Sequence, residues 1–261
     1  MSTHAIPSSL KLARGTMPEP EIHDALSSRR RRFFEARQTI SARGAQNHHF
    51  SVLVSGMACR YKIYSDGGQA IVGFVLPGDF TVPFVFLPMR ADFGVMSLTS
   101  AEIIEIPSAE LWALAQRNLE LSRALARSAM VDSAIARAWM ANISHQPADK
   151  RLAHLLCELG HRLARVGLAD QDGFPLPLFQ HDLADALGLS VVHVNRVLQS
   201  LKKLGLVRSD NHEIVFPDLG ALEQFAEFNS DYLHPEALES TPTNEAQREP
   251  GGLEPNVFAM R

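Results

Sequence analysis

The sequence predicts an α+β chain in three parts: an antiparallel β unit, a long helix, and a small helical domain that closes with two short strands. Three stretches carry that prediction. Residues 50–107 are dense in Val, Ile, Phe and Tyr and are punctuated by glycine turns. Residues 108–146 keep a helical pattern up to a stop at Pro147. Residues 180–205 place Gly188 and Ser190 between two amphipathic helical segments.

Taken in order, residues 1–20 are rich in Ser and Pro without periodicity and are expected to form a loose arm. Residues 21–107 form the expected sensor domain. Its first part, 21–43, is expected to be helical, with Ile22, Leu26, Phe33 and Phe34 as its apolar positions. The run Arg29–Arg32 falls inside it, and four consecutive residues on a helix point to all sides, so a solvated segment is favoured over a phosphate patch. From Phe50 on, short strands are separated at Ser55-Gly56, Asp66-Gly67-Gly68 and Pro77-Gly78-Asp79, the pattern of a barrel or sandwich. Asp66-Gly67-Gly68 suits a hairpin because glycine accepts positive φ. A last strand, AEIIEI, ends at Pro107, and Ser108 is placed to cap the following helix.

In the helix of 108–146 a heptad-like series runs Leu121, Leu125, Ser128, Asp132, Ile135, Trp139, with a second frame at Ala124, Ser128, Val131, Ile135 and Ala138. A dimer seam and a helix packed within one chain fit this pattern equally; the seam residues, if there is one, are Leu121, Leu125, Ser128, Val131, Ile135 and Trp139. The domain of residues 147–234 opens with a helix from Asp149 to Val166, whose Leu152, Leu155, Leu156, Leu159 and Leu163 share one face. His154, Cys157 and His161 lie on the other. Zinc would accept those ligand types but needs a fourth, so packing against a neighbouring helix is the favoured reading and no metal is expected. The tail, 235–261, is Glu-, Pro- and Thr-rich, acidic, and expected to be disordered.

Gln180–Leu187 reads as a short helix, Gly188 as its left-handed terminator, and Ser190 as the cap of a second helix built on Val194, Val197, Leu198 and Leu201 and closed by Gly205. The segments GLVRSD and HEIVF, joined at Asp210-Asn211, make a wing. This is a helix-turn-helix, whose second helix enters a major groove by its N-terminal half. The expected DNA-contacting residues are Ser190, Val191, Val192, His193, Asn195, Arg196, Gln199, Lys202, Lys203 and Arg208. Arg196 can give two hydrogen bonds to guanine, Asn195 and His193 can read bases or hold phosphates, and Val191 and Val192 can meet thymine methyls. Lys202, Lys203 and Arg208 suit phosphates.

The net charge is −4, but from Leu219 to the C-terminus there are eight acids and two bases, so the acidity is concentrated at one end and a local basic face is not excluded. No apolar run reaches the ~18–20 residues of a membrane span, and the N-terminus lacks a secretory core, so a cytoplasmic protein with no membrane partner is expected. Two cysteines, Cys59 and Cys157, exclude by count a disulfide framework and an iron–sulfur cluster held on four thiolates of one chain. Residues 50–107 contain no His and few carboxylates, which argues against a metal-dependent barrel enzyme.

An antiparallel β domain, a long helix and a winged helix-turn-helix, in that order, resemble the Crp/Fnr family of bacterial transcription regulators. The resemblance spans about Ile22 to Leu233 and is strongest in DKRLAHLLCELGHRL and LFQHDLADALGLSVVHVNRVLQSLKKLGLV. It implies a cyclic-nucleotide-binding-like β-roll, a homodimer formed through the long helix, a two-fold symmetric operator, and RNA polymerase as a partner if the protein is an activator. Arg196 falls on the family's guanine-reading arginine, whereas Val192 stands where many members carry a glutamate.

The sensor pocket departs from that family pattern. Cyclic-AMP-binding members carry a Gly-Glu pair and then Arg-Ser or Arg-Thr; this chain has Val82-Pro83 and Ala91-Asp92 there, with Arg90 one residue out of register. An effector pocket, if present, is expected at Phe80, Val82, Phe84, Arg90 and Asp92, apolar or vestigial, with Phe86 and Phe93 nearby. Neither cyclic AMP nor haem is expected as a cofactor; a cyclic-nucleotide-responsive or haem-based sensor of the same fold is the alternative, with His48, His49 and Cys59 as conceivable haem ligands.

Overall fold

The computed structural model describes residues 30–46, 48–82, 90–169, 173–210 and 213–233. Among the described residues seven strands come first: β1 (Arg31–Phe34), β2 (Thr39–Ser41), β3 (His49–Ser55), β4 (Ala58–Ile63), β5 (Gln69–Val75), β6 (Gly94–Ser97) and β7 (Ala101–Pro107). They form two antiparallel sheets, ordered β1-β7-β3 and β2-β6-β4-β5. Alternation along the strands builds two cores. Leu53 of β3 and Ile103 of β7 face Ala58, Val75 and Val95 of the other sheet. Phe50, Val52, Ile104 and Ile106 point the opposite way, toward the helices.

The β4–β5 hairpin turns at Gly67 with φ +84°, and Asp66 Oδ1 accepts from the Gly68 amide at 2.9 Å. Gly56 joins β3 to β4 at φ +84°, where a Cβ would lie 2.2 Å from the Ser100 carbonyl oxygen, so only glycine fits.

The stretch expected to be helical, 21–43, is not helical over its described part, residues 30–43. Residues 21–29 lie outside the described residues; from Arg31 the chain enters β1, pairing with β7 so that Arg31 sits opposite Ile104 and Phe34 opposite Ala101. Arg31 and Arg32 bind Glu102 and Glu105 of that neighbouring strand, at 2.5 and 2.8 Å. Arg31 and Arg32 of the arginine run therefore form cross-strand ion pairs rather than part of a solvated helix or a phosphate patch, while Arg29 lies outside the described residues.

The long helix is two helices. α1 (Ser108–Arg117) and α2 (Leu119–His145) meet at Asn118, which has extended φ/ψ and whose side chain accepts from the Leu121 amide at 2.9 Å. An Asn that caps a helix interrupts the pattern read as continuous. Ser108 is not a cap: Pro107 holds that position and supplies no side-chain bond.

The C-terminal domain follows: α3 (Ala148–Arg165), β8 (Gly173–Pro175), α4 (Gln180–Leu187), α5 (Val191–Lys203), β9 (Arg208–Asp210), β10 (Glu213–Val215), α6 (Leu219–Ala226) and a 3-10 turn at Asp231–Leu233. Strand β8 pairs with β10, and β9 completes a three-stranded wing in the order β8-β10-β9, one strand more than the two the sequence suggests. Asn211 of the expected wing turn lies outside the described residues. α3 is buried on both sides: Leu152, Leu156 and Leu159 meet the helix-turn-helix core, and its other face meets α6 and the 3-10 turn. There His154 Nε2 lies 3.2 Å from the Tyr232 hydroxyl and His161 binds Glu223, so the His154, Cys157, His161 face packs against neighbouring elements. No described helix is long and apolar enough to cross a membrane.

One core cluster joins the domains. Cys59, Ile71, Phe74 and Leu76 of the β unit pack in the same cluster as α3, α4 and the wing.

Candidate nucleic-acid interface and effector cavity

Helix α4 ends at Gly188, in the left-handed conformation at φ 63° and ψ 40°. The chain re-enters helix at once because Ser190 caps α5, its hydroxyl accepting from the His193 amide at 3.2 Å. Val194, Val197 and Leu201 are buried against α3 and α4, which orients the opposite face of α5 outward. That face carries Val191, Val192, Asn195, Arg196, Gln199 and Lys203, all exposed. His193, Leu198 and Lys202 are half-buried at its margin.

Helix α5 contains no acidic residue, and its first turn has none, whereas Glu110, Glu120, Asp149 and Asp182 occupy the first turns of α1 to α4. The positive end of its backbone dipole is therefore not offset by a carboxylate of its own. Among the described residues no hydrogen bond or ion pair holds the side chains of Asn195, Arg196 or Gln199. Arg208 extends the basic face from β9 and is exposed. Ser190 acts on the helix itself, through its cap. A groove between the two helices is lined by Phe179, His181, Leu183, Val191 and Leu198.

The cavity of the β unit lies against α2 and contains Arg60, Lys62, Phe93, Asp92, Asp132 and Arg162. Of the residues expected at an effector pocket, Asp92 lines it. Phe80 does not: it bridges Val52 and meets Phe50 edge-on, with ring centroids 6.2 Å apart, in the core under the helices. Val82 packs on the inter-sheet core, Arg90 is exposed and opposite Gln46, and Phe84 lies outside the described residues. The pairing of Val52 with Phe80 turns that residue away from the cavity, which spacing from the Gly-Asp turn does not reveal.

The charged groups of the cavity hold one another. Arg60 grips Asp132 of α2 with both terminal nitrogens, at 2.9 and 3.2 Å. Its remaining contacts go to the carbonyls of Phe80 (2.7 Å) and Thr81 (3.0 Å). Lys62 binds Asp92 at 2.9 Å. Arg162 of α3 reaches into the β unit, giving hydrogen bonds to Asp79 (2.5 Å) and the Phe74 carbonyl (2.9 Å) while also binding Glu158 at 3.0 Å. Burial alone would pull the Arg162 guanidinium down, but Asp79, Glu158 and Asp132 together hold it above its ordinary pKa. Glu158 in turn accepts from Trp139 Nε1 at 2.9 Å and the Tyr232 hydroxyl at 3.1 Å.

A second clamp ties the domains together. Arg37, in a left-handed conformation at φ 66° between β1 and β2, binds Asp182 of α4 through two bonds of 2.6 and 2.7 Å. Asp182 also accepts from the Phe179 amide at 2.9 Å, capping α4. Gln69 adds a 3.1 Å bond to Asp185. Arg60, Arg162 and Arg37 escaped the sequence reading. The one local signal was Glu158 and Arg162, an i,i+4 pair set in an otherwise apolar helix.

The residues expected at a dimer seam are largely consumed within one chain. Leu121 and Leu125 are buried against β3, β7 and α1, Val131 and Ile135 against Leu233, and Trp139 stacks edge-on near Phe74. Ser128 is half-buried between them. The leucine-like periodicity of α2 is the face it turns to its own chain. Its exposed face instead carries Ala126, Ala129, Ser133, Ala136, Met140 and Ile143, also at heptad spacing. Cys59 is buried in the joint core, and burial pushes its thiol up to about 12, while His48 and His49 are exposed at the start of β3.

Comparison with known proteins places both halves. The cyclic nucleotide-binding domain family matches residues 31–118, and the Crp-like helix-turn-helix domain family matches residues 150–225. The chain is 31% identical over 215 residues to a probable transcriptional activator of Rhizobium leguminosarum bv. viciae, covering 82% of this chain and 86% of that one. It is 27% identical over 197 residues to the nitrogen fixation regulation protein FixK of Bradyrhizobium diazoefficiens, covering 76% and 82%. Among solved structures, FixK2 from Bradyrhizobium japonicum superimposes with a TM-score of 0.68 at 23% identity, over 76% of this chain and 96% of that one.

Proposed function

The chain belongs to the Crp/Fnr family of transcription regulators, and from that membership we propose that it acts as a homodimer on a two-fold symmetric DNA operator. The observation that carries this reading is the outer face of α5: an acid-free helix with a capped N-terminus and a row of unengaged hydrogen-bonding side chains. Each protomer lays that helix in a major groove, with the two grooves about 34 Å apart. Arg196 takes a guanine through its O6 and N7, and Lys202, Lys203 and Arg208 hold phosphates.

Pairing runs along the exposed face of α2, where Ala126, Ala129, Ser133 and Ala136 allow close approach and Met140 and Ile143 supply apolar area. Acting on DNA, the protein works in the cytoplasm and performs no catalysis. Relatives named as activators favour a positive role, in which RNA polymerase is a further partner.

The internal pairing of Arg60 with Asp132 and of Lys62 with Asp92 supports DNA binding without a cyclic nucleotide, since a cyclic phosphate would have to displace a carboxylate to gain a cation. The exposed His48 and His49 and the buried Cys59 offer no support for haem ligation. A signal in the β unit, if there is one, acts by changing the Arg60–Asp132 bond between that unit and α2, and so the spacing of the two recognition helices.

The test is selection of binding sites from a random DNA pool with purified ligand-free protein, repeated with Arg196→Ala. The expected result is a two-fold symmetric site whose guanine preference relaxes in the variant, at a cost of ~1–3 kcal/mol per contact. An asymmetric site would sink the dimer, and failure to enrich any site would sink the ligand-free regulator.

A further inference from the structure

We propose that Val192 is a specificity-determining residue that reads the methyl group of a thymine one or two base pairs from the guanine taken by Arg196; the inference rests on the DNA-binding reading above. Val192 is 70% exposed in the first turn of α5. A single exposed apolar side chain needs no explanation on most surfaces. Here its neighbours set it apart. Asn195, Arg196, Gln199, Ser200 and Lys203 share the exposed face, and each is a hydrogen-bonding group. Val191, the other apolar residue, is 44% exposed and lines the groove with Leu183 and Leu198, so it has protein to pack on. Val192 is the one fully apolar group that the face presents outward. A β-branched residue also gains nothing as a helix former there, and the first turn would favour an acid or a small polar residue on local grounds. A local rule broken on a binding face points to the ligand.

Of the groups that line a major groove, only one is apolar. Cytosine presents an amino donor, guanine two acceptors, adenine an acceptor and a donor, and thymine an acceptor together with its C5 methyl. Placed over any of the first three, the valine methyls would desolvate a polar edge and return no hydrogen bond. Over thymine they exclude water from a methyl group. Register follows from helix geometry: Val192 and Arg196 are one turn apart on the same face, about 6 Å along the axis, against a base-pair rise of about 3.4 Å. The absence of any carboxylate on α5 keeps the approach to the adjoining phosphates free of repulsion.

The experiment uses the full chain and the site enriched from the random pool. Each thymine of that site is replaced singly by deoxyuridine, which removes the methyl and nothing else, and affinities are measured for the native protein and for Val192→Ala. For the native protein, one thymine within two base pairs of the Arg196 guanine in each half-site is expected to lose about three- to fivefold on replacement, the scale of one buried methyl. In the alanine variant that same replacement is expected to cost nothing, while the guanine preference persists. Because Val192 is exposed, the variant folds, and an unchanged unfolding midpoint documents this. Reselection with Val192→Glu is expected to move the preference at that pair away from thymine. An enriched site without a thymine at that distance, or a deoxyuridine penalty equal in both proteins, overturns the role of Val192 and leaves the regulator intact. No enriched site at all overturns the reading of a regulator that binds DNA without a ligand, and this inference with it.

Discussion

The β-unit cavity and the outer face of α5 are both rich in cations and differ in what those cations hold. In the cavity, Arg60, Lys62 and Arg162 each sit on a carboxylate of the same chain, and Arg60 and Arg162 are almost fully buried. On α5, the cations Arg196 and Lys203 are exposed and their side chains hold nothing among the described residues. Where a binding site's ancestry would place a ligand, the protein has satisfied its own charges; where DNA is to be met, it has left them open. A buried cation without a partner costs several kcal/mol, an exposed one costs little, so the same residue type serves cohesion in one place and recognition in the other.

The sharpest test of that contrast is thermodynamic. Arg162→Leu takes the cation away from the buried carboxylates of Asp79 and Glu158 and is expected to destabilise the protein by about 3–5 kcal/mol, read from the urea midpoint. Arg196→Ala, which removes an equally charged group from the open face, is expected to stay within about 0.5 kcal/mol of the native protein. Equal effects would erase the distinction. Next in size is Arg60→Met, which removes the guanidinium that grips Asp132 and is expected to cost about 3 kcal/mol. Combining it with Asp132→Leu should recover most of that loss but not all, because the carbonyls of Phe80 and Thr81 also lose their donor. A double variant no better than the single one would mean that the pair is not coupled.

The smallest expected effect is a pH dependence. Burial lowers the pKa of His154, with Glu158 opposing it. The unfolded chain therefore binds a proton near pH 6.5 that the folded chain refuses, so this contribution to stability is complete above that range and declines as the pH falls through it. The difference in urea midpoint between the native protein and His154→Gln should shrink from pH 7.5 to pH 5.5. A difference independent of pH would assign His154 a packing role alone.

How much was legible in the sequence depended on how local the determinant was. Gly188 and Ser190 act within a few residues, and the turn and cap they predict are found, as is the Asp66-Gly67-Gly68 hairpin. Strand β1 was misread because its structure comes from β7, some 70 residues away, and four residues with Phe33 exposed and Phe34 buried show little alternation of their own. The pattern of α2, which fits a seam and packing within one chain equally, stayed open for another reason. Many of its large apolar residues pack within the same chain, and Ala126, Ala129, Ser133 and Ala136 of the exposed face add little hydrophobic signal beside Met140 and Ile143. The cavity lay beyond sequence reasoning because Arg60, Asp132 and Arg162 come from three separate elements and meet only after the two domains have docked.

Asp182 closes the first turn of α4 and at the same time receives the fork of Arg37 from the turn between β1 and β2. With Arg162 anchored on Asp79 and Phe74, each half of the chain carries charges that are complete only beside the other half. The two domains are therefore not interchangeable parts. Grafting this DNA-binding domain onto the sensor of a relative would import a buried arginine and a buried aspartate without their counterparts, and such chimaeras should inherit operator choice only together with the residues equivalent to Arg37 and Asp79.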